Sequence, residues 1–180
     1  VLRTLRLIDS ARARLCVVDN ASDDGTEVWL ESMARRGDIH LIREPANIGH
    51  GPGLERARRA TGAPMILTLD SDAFPLGDDW LVRLDALLKD KVKVAGIGHH
   101  RGYIHPSCLM IARDTLDALG LTFLNEKDRP SRFDVAERIS AEVKRRGFKI
   151  EALPRTGAQC RGSRSEPVYL GSSYADIVYH

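Results

Sequence analysis

At 180 residues, with 43% apolar and 29% charged side chains, the chain has the size and composition of one globular domain with a real core. A net charge of +2 gives no electrostatic case for a nucleic-acid partner. The cysteines, Cys16, Cys108 and Cys160, are far apart, odd in number and without metal-ligand spacing, so free thiols in a reducing, cytoplasmic compartment are expected. No apolar run reaches membrane-spanning length, so no transmembrane segment is expected in this chain.

In chain order, Val1 to Ala11 has helical spacing through Val1, Leu2, Leu5 and Ile8. Leu15 to Asp19 reads as a buried strand, followed by a loop of turn residues, Asn20 to Gly25. Asp24 and Glu27 have capping-box spacing ahead of a helix through Val28, Trp29, Leu30 and Met33, which Gly37 stops. Asp38 to Arg43 alternates like a strand. The next loop, Glu44 to Gly53, carries Asn47-Ile-Gly-His-Gly-Pro-Gly53, whose glycines let backbone amides turn toward a ligand. A short basic helix is expected over Leu54 to Ala60.

Met65 to Leu69 is a continuous apolar run, the pattern of a strand covered on both faces, and it ends in Asp70-Ser71-Asp72. If the chain stays extended, Asp70 and Asp72 point to one side, where two hard oxygen ligands suit Mg2+ or Mn2+. The alternative is a pair of turn-forming carboxylates ahead of Pro75. Asp78 or Asp79 is expected to cap a helix with the stripe Trp80, Leu81, Leu84, Leu87 and Leu88. Strands follow at Lys91 to Gly98 and Ser107 to Ala112, with His99, His100 and His105 between them, and Asp114 is expected to cap a short helix reaching Gly120.

Gly120 to Ser131 reads as a mobile loop, Phe133 to Arg146 as a helix, Phe148 to Leu153 as a strand, and Pro154 to Pro167 as a flexible basic loop. Val168 to His180 regains apolar character. Strands alternating with helices at this rhythm predict βαβ units and a mostly parallel, open sheet with helices on both faces.

Three pieces in order, Val17 to Thr26, Asn47-Ile-Gly49 and Leu69-Asp-Ser-Asp72, resemble the nucleotide-sugar domain of family 2 glycosyltransferases, an α/β fold of GT-A, Rossmann-like type. The resemblance implies metal-dependent transfer, usually with inversion, of a sugar from a nucleotide-diphospho-sugar donor to a saccharide or lipid-linked acceptor. Carried over by position, Asp19 resembles the base-contacting carboxylate. Asn20, Asn47 and Gly49 border the nucleotide, Asp70 lies near the ribose and metal, Asp72 is a direct metal ligand, and His180 resembles a late third ligand.

Relatives keep their base in a Glu-Asp pair on a late helix. That pair is absent here, leaving Asp134 and then Glu137 as candidates, both placed by spacing on one helix face. The local alternative is that these two are solvated partners of Arg138 and its neighbours. His99, His100 and His105 follow a strand end, where acceptor-binding residues sit in relatives, and read either as acceptor or phosphate contacts or as a solvated loop. Residues 1–98 are expected to form the nucleotide-sugar half and 99–180 the acceptor half. Relatives also begin with a central Val- and Ile-rich strand that this sequence does not carry, so either the chain is a fragment at its N-terminus or the sheet is completed differently. The competing readings are a non-catalytic nucleotide-binding domain and a haloacid-dehalogenase-like phosphatase. Ala73-Phe74 after Asp72 argues against the second.

Overall fold

The computed structural model describes residues 2–8, 13–124, 133–157 and 171–180. Its central layer is a four-stranded open sheet in the order β3 (Met65–Leu69), β6 (Ile104–Ala112), β5 (Val92–Gly98), β7 (Lys149–Leu153). β5 and β7 are parallel, and β6 is antiparallel to both β3 and β5, so three of the four strands run one way. This is the expected open α/β architecture.

Alternation along each strand sorts side chains onto two faces. Ile66, Val94, Leu109 and Ile111 pack with Leu116 of α5 (Arg113–Ala118) and Ile139 and Val143 of α6 (Glu137–Arg145). On the other face Met65, Leu67, Ile97, Cys108 and Met110 pack with Trp80 and Leu84 of α4 (Trp80–Asp85). Helices therefore cover both faces.

A second, two-stranded parallel sheet pairs β1 (Cys16–Asp19) with β2 (His40–Arg43) and rests on α2 (Thr26–Arg35) through Leu30, Met33 and Ile39. Among the described residues no ladder joins it to β3. Leu5 of α1 (Leu2–Arg6) packs with this cluster, while Leu7 and Ile8 just beyond it pack with the α4 face of the large sheet, so one short segment stitches the two cores.

A small antiparallel sheet joins β4 (Phe74–Pro75), β9 (Val178–Tyr179) and β8 (Ser173–Tyr174), with Phe74 and Tyr179 rings stacked at 4.9 Å. Among the described residues no helix is long and apolar enough to cross a membrane.

Several boundaries differ from the sequence reading. The third helix, α3 (His50–Ala60), begins at His50, four residues early, because Pro52 is tolerated in a first turn whose N–H groups lack helical partners anyway. Gly51 is required there, since a Cβ would lie 2.5 Å from the Phe123 carbonyl oxygen. The Asp24/Glu27 box does not form: Gly25, with φ of 90°, is the N-cap of α2, and Asp24 accepts from the Thr26 amide at 3.0 Å.

β6 begins at Ile104 rather than Ser107, and Pro106 is accommodated where the β5–β6 register shifts. Helix α6 begins only at Glu137, because Ala136 sits in the left-handed region at φ 66° and interrupts the run from Phe133. Most of the basic loop, with Cys160, Arg161 and Arg164, and residues 125–131 of the expected mobile loop lie outside the described residues.

Candidate active site

Asp70 follows directly on β3, whose last rungs are tied to β6: the Asp70 amide donates to the Ser107 carbonyl at 3.2 Å and the Thr68 hydroxyl to the Pro106 carbonyl at 2.6 Å. The chain then turns. The Ala73 amide donates to the Asp70 carbonyl at 3.1 Å, closing Asp70-Ser71-Asp72-Ala73. This tight turn, not the alternation of an extended strand, brings the two carboxylates together.

His180 reaches them through the small sheet. β9 pairs with β4 in the register Phe74 with Tyr179, which sets the following His180 against the residues before Phe74. Its backbone is held on both sides, donating to Ser172 at 3.0 Å and accepting from the Ser172 amide at 2.7 Å. The result is a group of Asp70, Asp72 and His180 ligand atoms all within 4.8 Å of one another. His180 Nε2 is 3.8 Å from Asp72 Oδ1, and the Asp72 side chain is largely exposed. Two carboxylates and one imidazole form a donor set that suits Mn2+ or Mg2+.

The sequence reading missed His50 as a site residue. Placed in the first turn of α3, it brings Nε2 to 3.1 Å from Asp70 Oδ1, a contact that holds one oxygen of that carboxylate. Burial pushes the Asp70 carboxyl up, but the His50 hydrogen bond and the nearby His105 and His180 outweigh it and hold the group below the usual carboxylate range. The bond to Asp70 in turn raises His50 above the usual imidazole value. The signal available in the sequence was a histidine directly after a helix-starting glycine.

Asp134 lies before α6 rather than on its face, correcting the shared-face expectation. Its amide donates to Glu137 Oε2 at 2.8 Å and its carbonyl accepts from the Glu137 amide at 3.1 Å, a turn closed in both directions. The Asp134 carboxylate accepts from the Tyr103 hydroxyl at 2.9 Å and from the Val135 amide at 2.7 Å. Burial works against ionisation, but these bonds with the His105 and Arg101 charges hold Asp134 below the usual carboxylate range. Tyr103, whose hydroxyl holds Asp134, has its ring centroid 6.2 Å from that of His105, which in turn lies 6.1 Å from the His180 ring. Glu137 is bound differently: Arg101 pairs with it directly, and it serves the turn.

Asp19 ends β1 and is almost wholly buried. One oxygen accepts from the Ser22 amide at 2.9 Å. The other lies 3.4 Å from Arg43 Nε as an ion pair but accepts no hydrogen bond, a buried acceptor left to be satisfied. Burial raises its carboxyl, and the Ser22 bonds and Arg43 bring it below the usual range. Asn20 and Asn47 are spent on the loops themselves. Asn20 donates to Asn47 Oδ1 at 3.0 Å and accepts from the Ile48 amide at 2.8 Å, while Asn47 Oδ1 also accepts from the Gly49 amide at 2.9 Å. Gly49, with φ of 90°, is the N-cap from which α3 starts.

Known proteins are informative at this point. The mannosyltransferase PcManGT from Pyrobaculum calidifontis, in complex with GDP-Man and Mn2+, matches with a TM-score of 0.68 and 21% identity over 85% of this chain and 49% of its own. TarS 1-349 of S. aureus in complex with UDP-GlcNAc matches with a TM-score of 0.59 and 17% identity over 95% of this chain and 57% of its own. The chain thus spans about half the length of these structures. No curated protein sequence matches it. The model of the family described as glycosyl transferase family 2 matches residues 1–114, well over half of the sequence, and with the GT-A architecture above this establishes that the chain belongs to that family.

Proposed function

We propose that this chain binds a nucleotide-diphospho-sugar and transfers the sugar, with inversion, to an acceptor hydroxyl. The observation that carries the reading is the convergence of Asp70, Asp72 and His180 from two separate elements at the end of β3.

Asp70, Asp72 and His180 would hold the divalent ion, Mn2+ or Mg2+, whose charge favours departure of the nucleoside diphosphate. Asp19 offers its unsatisfied oxygen to an N–H of the base, and the Asn20–Asn47 staple keeps the bordering loops in place. Asp134 is the general base. The acceptor oxygen forms its bond to the sugar carbon on the face opposite the diphosphate, the carbon–oxygen bond to the diphosphate breaks, and the acceptor proton passes to Asp134. Tyr103 and the Val135 amide keep that carboxylate ionised and aimed. Residues 1–98 supply the donor side and 99–180 the acceptor side together with His180. The working location is cytoplasmic, compatible with the free, half-buried Cys16 and buried Cys108, at the inner membrane face where a lipid-linked acceptor is used.

Calorimetric binding of UDP, GDP and dTDP with and without Mn2+, on this chain and on Asp72→Ala, tests the reading. One nucleotide should bind in a Mn2+-dependent manner and the variant should lose that dependence. Binding of none of the three, or Mn2+-dependent binding unchanged in Asp72→Ala, would overturn it.

A further inference from the structure

His180 is carried by a hairpin that does not hold its own place. β8 and β9 are two residues each, and a two-stranded ribbon of that size is marginal alone. Its turn is also strained. Ala175 and Asp176 both sit in the left-handed region at φ 52°, and the Ile177 amide closes the turn on the Tyr174 carbonyl at 2.9 Å. Aspartate tolerates that region, whereas an alanine Cβ crowds the following carbonyl there, so the turn needs support from outside.

Arg83 of α4 supplies it. Its two terminal nitrogens donate to the two carbonyls of the turn, Nη2 to Ala175 at 2.6 Å and Nη1 to Asp176 at 3.1 Å. The planar guanidinium fork is suited to two acceptors at once. α4 itself is fixed, since Trp80 and Leu84 are buried against the large sheet, so Arg83 ties the hairpin to that body. Two other ties at this end, the Ala175 amide to the Pro154 carbonyl at 2.7 Å and the Thr156 hydroxyl to Asp176 at 2.7 Å, reach only the chain that leaves β7. Beside the turn a groove of about 310 Å³, bordered by Arg83, Leu87, Leu153, Pro154, Ala175 and Ile177, stays open, so close packing does not take over the role of these bonds.

At the other end of the same ribbon the Ser172 and His180 backbones bond in both directions, and the imidazole meets Asp70 and Asp72. Only Ile177, Val178 and Tyr179 separate the turn from His180, so a displacement of the turn passes along β9 to the ring. β4 is itself two residues long and outside the large sheet. Its pairing with β9 fixes His180 against Asp72 and leaves the distance of the hairpin from Asp70, on the large sheet, to be set elsewhere. We infer that Arg83 is a positioning residue for His180, gripping the Ala175–Asp176 turn so that the imidazole stands against Asp70 at the end of β3. The inference rests on the metal assignment proposed above and adds the residue that sets its third ligand.

Calorimetry with Mn2+ alone, together with NMR of the His180 ring in the metal-free chain, tests it. Arg83→Met, which keeps an unbranched apolar stem, should weaken Mn2+ binding about three- to tenfold and shift the His180 Cε1–H resonance. Loss of a cation would by charge alone strengthen Mn2+ binding, so the expected direction reports geometry. Adding Ala175→Gly, which relieves the left-handed turn without touching His180, should recover most of both effects. In a His180→Ala background, Arg83→Met should weaken Mn2+ binding no further, as two changes acting through one contact do. A merely structural role would lower unfolding stability and leave the ring resonance and the Mn2+ affinity of the folded chain unchanged. That result, no recovery with Ala175→Gly, or additive losses in the double variant would each overturn the inference. The two readouts separate the claims. A shifted His180 ring in a chain that binds no Mn2+ overturns the metal assignment and leaves the role of Arg83 standing, whereas an unshifted ring overturns that role whatever Mn2+ does.

Discussion

The two sheets divide the site between unequal supports. β6 is buried almost throughout, from Ile104 to Ile111, and the four-stranded sheet around it has an apolar cluster on each face. β1 is only half-buried at Cys16, Val17 and Val18, and the cluster under its sheet has three buried members, Leu30, Met33 and Ile39, with only partly buried residues such as Leu5 and Leu41 packed against them. Asp70, Asp72 and Asp134 thus stand on or beside the better-packed body, while Asp19 stands on the lesser one. The lesson is physical: under the proposed function, chemistry that needs fixed geometry would be carried by the layer with two packed faces, and recognition of the donor by a sheet that costs less to open.

The joint between these regions should show the largest effect. Glu55 of α3 is buried, pairs with Arg58 at 2.6 Å and Arg59 at 2.8 Å, and accepts from the Phe123 amide at 3.4 Å. Removing it leaves Arg58 without its buried partner, so Glu55→Ala should lose about 3–5 kcal/mol in denaturant unfolding. Burial raises the Glu55 carboxyl, but Arg58, Arg59 and the Phe123 amide outweigh it, so its folded pKa lies below the unfolded one. The stability it contributes is complete above the unfolded value of about 4.3 and is lost as pH falls through the folded one. Melting temperature should therefore drop more steeply below about pH 4 in the natural chain than in Glu55→Gln, and equal slopes would remove Glu55 from the account.

Ile111, fully buried between β3 and β5, comes next: Ile111→Ala should cost about 2–5 kcal/mol by the same measurement. His50→Ala releases Asp70, and Mn2+ binding followed by calorimetry should weaken about ten- to a hundredfold, the range for a partner that orients a metal ligand. Leu41→Ala in β2, at a half-buried position, should cost only about 1 kcal/mol. A loss equal to that of Ile111→Ala would erase the contrast between the sheets.

What the sequence by itself determined is the periodic part. The apolar run Met65 to Leu69, the alternation before Arg43 and the amphipathic stripe of α4 placed strands and helices in order, and Asp19, Asp70 and Asp72 at strand ends followed from them. Local period reports which side of an element is buried, and that much needs no partner. Where one residue overrode the period, the reading slipped: Ala136 in the left-handed region delayed α6, and Pro52 disguised a helix start as a loop.

Only the tertiary structure decided which polar groups meet. The family resemblance names His180 with Asp72, but it is the pairing of β9 with β4 that brings them together. His50 finds Asp70 because α3 starts early. Tyr103 holds Asp134 because Asp134 falls outside α6. Each contact joins residues from separate elements, and its geometry is set by strand register and by where chain segments cross. A hydrogen bond depends on tenths of an ångström between such segments, whereas hydrophobic burial depends only on a face being covered.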